Sequence, residues 1–174
     1  MGKTGQSAGY PILYTQEERR RRDASVWTLV QGILAPVQFV IFLVSLVLVL
    51  NYLWSGEGLW AASVSVVVKT LALYAIMITG SIWEKVVFGR YLFAPAFFWE
   101  DVFSILVLAL HTAYLVCLHQ GLLAPGALMA LALAAYATYV VNAGQFLCKL
   151  RMARLSAPMR AEPVAGLSAA GRTP

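Results

Sequence analysis

Four long apolar stretches constrain the fold of this chain more than any other feature. A helix needs about 20 apolar residues to cross the hydrocarbon core of a bilayer. Four stretches reach or approach that length: residues 27–54, 60–83, 102–118 and 122–148. Hydrophobic residues make up 60% of the 174 residues and charged residues only 12%, a balance that excludes an ordinary soluble domain. The sequence therefore predicts an all-α polytopic membrane protein with four transmembrane helices.

Basic residues predict the orientation of these helices, because Lys and Arg near span ends accumulate on the cytoplasmic side. They lie before the first stretch, between the second and third, and after the fourth, whereas the connectors 55–59 and 119–121 hold none. Residues 1–26 are thus predicted as a cytoplasmic N-terminal segment, 27–154 as the transmembrane domain and 155–174 as a disordered cytoplasmic tail. The net charge of +5 then indicates anionic membrane lipid as a partner and not nucleic acid.

The connector between the second and third predicted helices concentrates acids and aromatic rings. It lies within GSIWEKVVFGRYLFAPAFFWED, residues 80–101, and neither side of it has room for a further span. We expect it to lie in the membrane interface or to fold back into it. Its rings either form an ordinary aromatic belt or make a wall on which a flat ring system stacks. The rings are Phe88, Tyr91, Phe93, Phe97, Phe98 and Trp99.

Three carboxylates bracket this aromatic run. Glu100 and Asp101 begin the third predicted helix, where the helix dipole favours acids. Glu84, near the end of the second helix, either pairs with the adjacent Lys85 or is drawn toward Glu100 and Asp101 by the hairpin of helices. If Glu84 lies close to Glu100 or Asp101, one carboxyl group would act as an acid and the other as a base.

Polar residues within the apolar stretches predict which helix faces point inward, since burying them in lipid is costly. Residues Gln31, Gln38, Ser45 and Tyr52 recur every seven positions, so they share one stripe of the first helix. Lys69 lies about halfway along the second helix. It either neutralises a substrate carboxylate, pairs with a buried acid, or extends its long stem to the interface.

His111 lies within the third helix, on the face that also holds Asp101 and Ser104. Ten residues separate it from Asp101, about 15 Å along a helix axis. Three roles are open: a ligand of a metal or of a tetrapyrrole magnesium, a proton carrier, or a hydrogen-bonding partner of another helix. A haem electron carrier is disfavoured, because the second histidine, His119, lies on the same predicted helix.

At these residues the chain resembles a known family. Three segments are similar to the 3-vinyl bacteriochlorophyllide hydratases of phototrophic bacteria: LYTQEERRRRDASVWTLVQG, GSIWEKVVFGRYLFAPAFFWEDVFS and LHTAYL. The similarity covers about residues 13–154. It implies hydration of the C3 vinyl group of a chlorophyllide or bacteriochlorophyllide to a 1-hydroxyethyl group, in bacteriochlorophyll biosynthesis for photosynthesis. It also implies a bacterial cytoplasmic or intracytoplasmic membrane and other pigment-biosynthesis enzymes as partners.

Hydration of a vinyl group needs an acid and a base but no cofactor. We therefore expect Glu84, Glu100 and Asp101 to supply the acid and base. His111 is expected to bind the substrate magnesium or relay a proton. The remaining predicted residues bind substrate, the aromatic ones holding the macrocycle and the basic ones its propionate: Phe88, Tyr91, Phe97, Phe98 and Trp99, and Lys69, Lys85 and Arg90.

A non-catalytic function is the alternative. A membrane carrier of chlorins, or a photosystem assembly factor, would need the same aromatic wall and the same histidine ligand. Turnover of a vinyl pigment distinguishes the two hypotheses, because only the hydratase converts the pigment that it binds.

Overall fold

The computed structural model describes residues 14–155, and this range is entirely helical apart from its turns. A short helix precedes four long ones: α1 (Gln16–Ala24), α2 (Val26–Ser55), α3 (Leu59–Phe88), α4 (Phe98–Gln120) and α5 (Pro125–Leu155). Each of the four long helices is long and apolar enough to cross a membrane. The predicted all-α fold with four spans is confirmed, and the protein is a multi-pass membrane protein.

The four long helices form an up-and-down bundle. α2 packs on α3, α3 on α4, α4 on α5, and α5 back on α2, as expected when short turns join antiparallel neighbours. α1 packs against α3. It therefore lies at the same end as the connector between α3 and α4, residues 89–97, which we call the connector end. The opposite end carries the α2–α3 and α4–α5 turns, and we call it the hairpin end.

The interior of the bundle is more polar than its outer surface. Apolar side chains form a core from all four long helices, among them Phe42, Val66, Val107 and Met129. Buried with them are charged and polar residues: Gln38, Ser45, Lys69, Thr70, Glu84, Glu100, Asp101, Ser104, His111 and Asn142. The exposed positions of the same helices are largely apolar. A helix that is apolar on its outer face is suited to lipid and not to water.

Three of the four predicted spans fall within the observed helices, which extend beyond the predicted limits. α4 begins at Phe98, four residues before the predicted start, so Glu100 and Asp101 occupy its first turn. α5 begins at Pro125, so the predicted start at residue 122 is wrong. Proline is favoured at the first position of a helix because it has no N–H to donate there. The predicted disordered tail lies outside the described residues except Leu155, which ends α5.

The predictions omitted α1. Its start is encoded in a capping box, in which the Thr15 hydroxyl accepts a hydrogen bond from Glu18 N at 3.2 Å and the Glu18 carboxylate accepts one from Thr15 N at 2.7 Å. The pattern Thr-x-x-Glu is a recognised signal for a helix start. The lack of an apolar face on QEERRRRDA concealed the helix, which forms within the predicted N-terminal segment.

The polar stripe of α2 faces the other helices, as predicted. Gln31 Nε2 donates to Thr79 Oγ1 of α3 at 2.7 Å, and Ser45 Oγ lies 2.6 Å from Tyr136 Oη of α5. Gln38 is buried between them along the helix. These hydrogen bonds set the rotation of α2 about its axis.

Thr28 joins three elements at the connector end, and its replacement tests this part of the fold. Its Oγ1 accepts from Trp83 Nε1 at 2.9 Å and donates to Arg22 O at 2.6 Å. We expect Thr28→Val to lower the free energy of unfolding in mixed micelles by about 1–2 kcal/mol, because both bonds are lost. Thr138→Val is the control, since the Thr138 hydroxyl donates within its own helix, to Ala135 O. Equal losses in the two variants would contradict the assignment.

Candidate active site

The α3–α4 hairpin brings the three predicted carboxylates together at the connector end. Glu84 lies one turn before the end of α3, and Glu100 and Asp101 lie in the first turn of α4. All three residues are buried, with 4–6% of their surface exposed. The side chains of Glu84 and Asp101 face each other closely enough to interact.

The connector folds over this carboxyl pair and donates backbone hydrogen bonds to it. Phe93 N donates to Asp101 Oδ2 at 2.6 Å, and Ala94 N donates to Glu84 Oε2 at 3.4 Å. Phe93 has a φ of 60°, which is uncommon for a bulky residue. A conformation of this kind persists where surrounding contacts enforce it, and such residues cluster at functional sites. The pair and the connector therefore hold each other in position.

A hydrogen bond between Glu84 and Asp101 has a chemical requirement. An ionised carboxylate only accepts hydrogen bonds, whereas a protonated carboxyl group donates one. Two carboxyl groups that hydrogen-bond to each other must therefore hold a proton between them. Such a pair contains an acid and a base side by side.

Glu100 is held differently, by a lysine that the sequence analysis treated only as a topology signal. Lys149 Nζ of α5 donates to Glu100 Oε2 at 2.7 Å and also to the carbonyl oxygen of Ala96. The same ammonium group lies 5.1 Å from the centre of the Phe97 ring. Lys149 thus ties α5 to the connector and to α4. Its position at the end of the last helix, antiparallel to the start of α4, is the signal that could have identified it.

The aromatic residues of the connector end divide into two groups. Phe88 and Phe97 pack in a cluster with Tyr14, Trp83 and Phe146, with ring centres 5.6–6.3 Å apart. The other group is exposed, and we call it the aromatic shelf: Tyr91, Phe93, Phe98 and Trp99. Of the five aromatic residues predicted to bind substrate, Tyr91, Phe98 and Trp99 are therefore on the surface, whereas Phe88 and Phe97 support the connector from beneath.

The predicted basic residues also separate. Lys85 and Arg90 are exposed at the connector end, with Lys85 Nζ 5.2 Å from the centre of the Tyr91 ring. Lys69 lies 15 residues before Glu84, about 22 Å away along α3 at 1.5 Å per residue. It is fully buried, so the interpretation that it extends to the interface is wrong. His111 is also fully buried and lies deep in the bundle.

Comparison with known proteins identifies the family. A family model described as 2-vinyl bacteriochlorophyllide hydratase matches residues 14–152. The chain belongs to the 2-vinyl bacteriochlorophyllide hydratase family. A relative with that name from Cereibacter sphaeroides is 66% identical over 155 residues, which cover 89% of this chain and 96% of the relative. A relative of the same name from Rhodobacter capsulatus is 65% identical over 158 residues, which cover 90% of this chain and 91% of the relative.

The resemblance drawn from the three sequence segments is confirmed. The name of the family model places the vinyl group at position 2, whereas the name used for the resemblance places it at position 3. The matched range contains every residue of the carboxyl cluster, the aromatic shelf and Lys149. No solved structure matches the chain.

We expect the ion pair between Lys149 and Glu100 to stabilise the connector against local opening. We expect Lys149→Met to speed amide hydrogen exchange in residues 89–101 at least tenfold. Breaking a buried ion pair by removing one partner costs about 3–5 kcal/mol, and tenfold corresponds to about 1.4 kcal/mol. Arg151→Met is the matched control, since Arg151 is exposed two residues further along α5. Unchanged exchange in the Lys149 variant would show that the ion pair does not hold the connector.

Proposed function

We propose that the protein adds water across the vinyl group of a bacteriochlorophyllide-type magnesium tetrapyrrole, giving the 1-hydroxyethyl product in bacteriochlorophyll biosynthesis. Membership of the hydratase family supports the reaction, and both relatives are named for it. The two buried carboxyl groups of Glu84 and Asp101, which face each other beside the aromatic shelf, are the structural observation that carries the assignment of the site, and we propose that they share one proton. The reaction is a lyase-type hydration in which this pair acts as acid and base.

The reaction begins with proton transfer from the protonated member of the pair to the terminal vinyl carbon. The π electrons of the vinyl group form the new C–H bond and leave positive charge on the carbon attached to the macrocycle, where conjugation spreads it. The two carboxylates that remain stabilise this charge because they are fixed in a site largely closed to water. Water then forms a C–O bond to that carbon.

Loss of a proton from the added water completes the reaction. A carboxylate of the pair accepts it, so the pair ends with the proton with which it began. No electrons leave the substrate, and the sum of the steps is one water added. Glu100, held by Lys149, keeps the start of α4 and the connector in register beside the pair.

The aromatic shelf is the proposed surface for the macrocycle. Its rings are exposed and close together, with Phe93 and Phe98 centres 5.6 Å apart and Phe98 and Trp99 centres 5.5 Å apart. Aromatic faces bind flat conjugated rings by stacking and by apolar burial. Lys85 and Arg90, at the same end, are the proposed partners of the propionate carboxylate. Lys69 is too deep to serve a pigment held on the shelf.

The basic residues support a cytoplasmic location for the connector end. Arg19, Lys85, Arg90, Lys149 and Arg151 lie at that end, whereas the turns at the hairpin end carry no Lys or Arg. By the positive-inside rule both ends of the described chain then face the cytoplasm. The membrane would be the bacterial inner membrane, with anionic lipid at its surface. The substrate would come from another enzyme of pigment synthesis.

Replacing either member of the carboxyl pair tests the chemistry. We expect Glu84→Gln and Asp101→Asn each to lower kcat by about 10²- to 10⁴-fold, the usual contribution of a general acid or base. Glu57→Gln is the matched control, because Glu57 is an exposed acid at the hairpin end. The assay measures hydroxyethyl product from a vinyl chlorophyllide by mass spectrometry, and pigment binding by absorbance. Full activity in both variants, with pigment still bound, would refute the assignment.

The same assay distinguishes a hydratase from a carrier. If the wild-type protein were only a carrier, it would bind the vinyl pigment and release it unchanged. Oxygen from ¹⁸O-labelled water appearing in the hydroxyethyl product of the wild-type protein is the expected result. Pigment that binds without ever gaining the label would favour the carrier.

The aromatic shelf predicts a separate effect on binding. We expect Trp99→Ala to raise KM about tenfold with little change in kcat, since an aromatic stacking contact contributes about 0.5–1.5 kcal/mol beyond its buried area. Trp54→Ala is the control: Trp54 is 95% exposed at the hairpin end. Equal effects of the two substitutions would show that the shelf serves only as a membrane anchor.

A further inference from the structure

A second polar cluster lies deep in the bundle and is not used by the proposed acid–base pair. We call Lys69, His111 and Tyr139 the deep polar cluster. The Lys69 ammonium lies 3.7 Å from the centre of the Tyr139 ring, and Lys69 and His111 are both 0% exposed. Neither Lys69 Nζ nor His111 Nε2 has a hydrogen-bond partner among the described residues. Burying polar groups without hydrogen bonds is costly, so these atoms require a partner.

The hydrogen bond of the His111 ring shows what kind of partner suits it. His111 Nδ1 lies 2.8 Å from the carbonyl oxygen of Val107. A carbonyl oxygen only accepts hydrogen bonds, so Nδ1 carries the hydrogen. In the neutral ring Nε2 then has a free lone pair and accepts. Lys69, which packs on the ring of Tyr139, has three N–H groups and only donates. A partner of both residues must donate on one side and accept on the other.

Further polar atoms connect this cluster toward the carboxyl pair. Asn142 Nδ2 of α5 donates to Ser104 Oγ of α4 at 2.9 Å. Ser104 lies three residues from Asp101, about one helical turn. Asn142 Oδ1 is buried and has no partner among the described residues. Polar atoms therefore recur along the interior of the bundle from Asp101 toward His111.

The packing around the cluster favours a small ligand. The ring centres of Phe42 and Tyr139 are 4.9 Å apart, those of Phe42 and Tyr136 are 5.4 Å apart, and those of His111 and Tyr136 are 5.8 Å apart. A tetrapyrrole could reach His111 only if the helices moved apart. Water is small, both donates and accepts, and commonly satisfies buried polar groups with two to four hydrogen bonds.

We propose that the deep polar cluster binds internal water between Lys69 and His111, and that this water exchanges with the Glu84–Asp101 pair past Asn142 and Ser104. The second part rests on the proposed function, since it makes the bundle interior a source of the water consumed in hydration. The first part is independent of catalysis. Lys69 and Asn142 are then positioning residues for water.

Hydroxyl-radical footprinting by X-ray pulses in ¹⁸O-labelled water tests the first part directly. The pulse splits bound water in place, so side chains beside it are labelled even when they are buried. We expect Tyr139, 8% exposed, to be labelled at least fivefold faster than Tyr14, which is 4% exposed in the aromatic cluster. Equal labelling of the two tyrosines in the wild-type protein overturns the proposal, and this arm needs no variant.

Variants then test which residues hold the water. Lys69→Met should lower Tyr139 labelling at least fivefold. Thr70→Val is the matched control, because Thr70 is fully buried next to Lys69 and donates to Val66 O within its own helix. Unchanged Tyr139 labelling in a folded Lys69→Met protein overturns the assignment of Lys69.

Turnover tests the second part separately. Asn142→Leu should lower kcat about tenfold and leave KM unchanged, because substrate binding on the shelf is untouched. Asp101→Asn should lower kcat by about 10²- to 10⁴-fold while Tyr139 stays labelled, so failure of the catalytic assignment is distinguishable from failure of the water site. Wild-type turnover in Asn142→Leu overturns the supply role.

A pigment site is the competing outcome. If a bound magnesium chlorophyllide protects Tyr139 from labelling, and its absorbance band shifts only when His111 is present, the cluster binds the macrocycle and the water proposal is wrong. We expect no such protection.

Discussion

The contact between the carboxyl groups of Glu84 and Asp101 is the interaction on which the connector end depends. It joins the last turn of α3 to the first turn of α4, and the amides of Phe93 and Ala94 close over it. The connector keeps Phe93 at a positive φ because these contacts outweigh the local cost. The proposed shared proton thus connects the fold of the hairpin to the connector beside the aromatic shelf.

The bundle reverses the polarity of a soluble protein. Its outer faces are apolar, and its interior holds acids near the connector end and Lys69 and His111 at depth. In lipid a buried polar side chain must find partners among the other helices. This requirement explains why α2 bonds to α3 and α5 through Gln31 and Ser45, and why α5 reaches Glu100 through Lys149. Helix packing and the chemistry of the interior therefore have the same origin.

Much of the fold was predictable because the length of an apolar stretch and the period of a polar stripe are local properties. The four spans and the inward face of α2 follow from them directly. The hairpin left the proximity of Glu84 to Asp101 as one of two alternatives, the other being an ion pair of Glu84 with Lys85. The role of Lys149 did not, because its contact with Glu100 spans 49 positions and depends on how α4 and α5 are rotated. For the same reason, sequence periodicity could not predict that Phe97 is buried and Phe98 exposed, or that Lys69 is fully buried.

Infrared spectroscopy of the protein in membranes measures whether Glu84 and Asp101 share one proton. A protonated carboxyl group has a C=O stretching band that shifts on transfer to deuterated water, whereas an ionised carboxylate has no such band. We expect a band of this kind in the wild-type protein that is lost or displaced in Glu84→Gln and in Asp101→Asn, and retained in Glu57→Gln. A wild-type spectrum without it, or a band that neither substitution changes, would show that Glu84 and Asp101 do not share a proton.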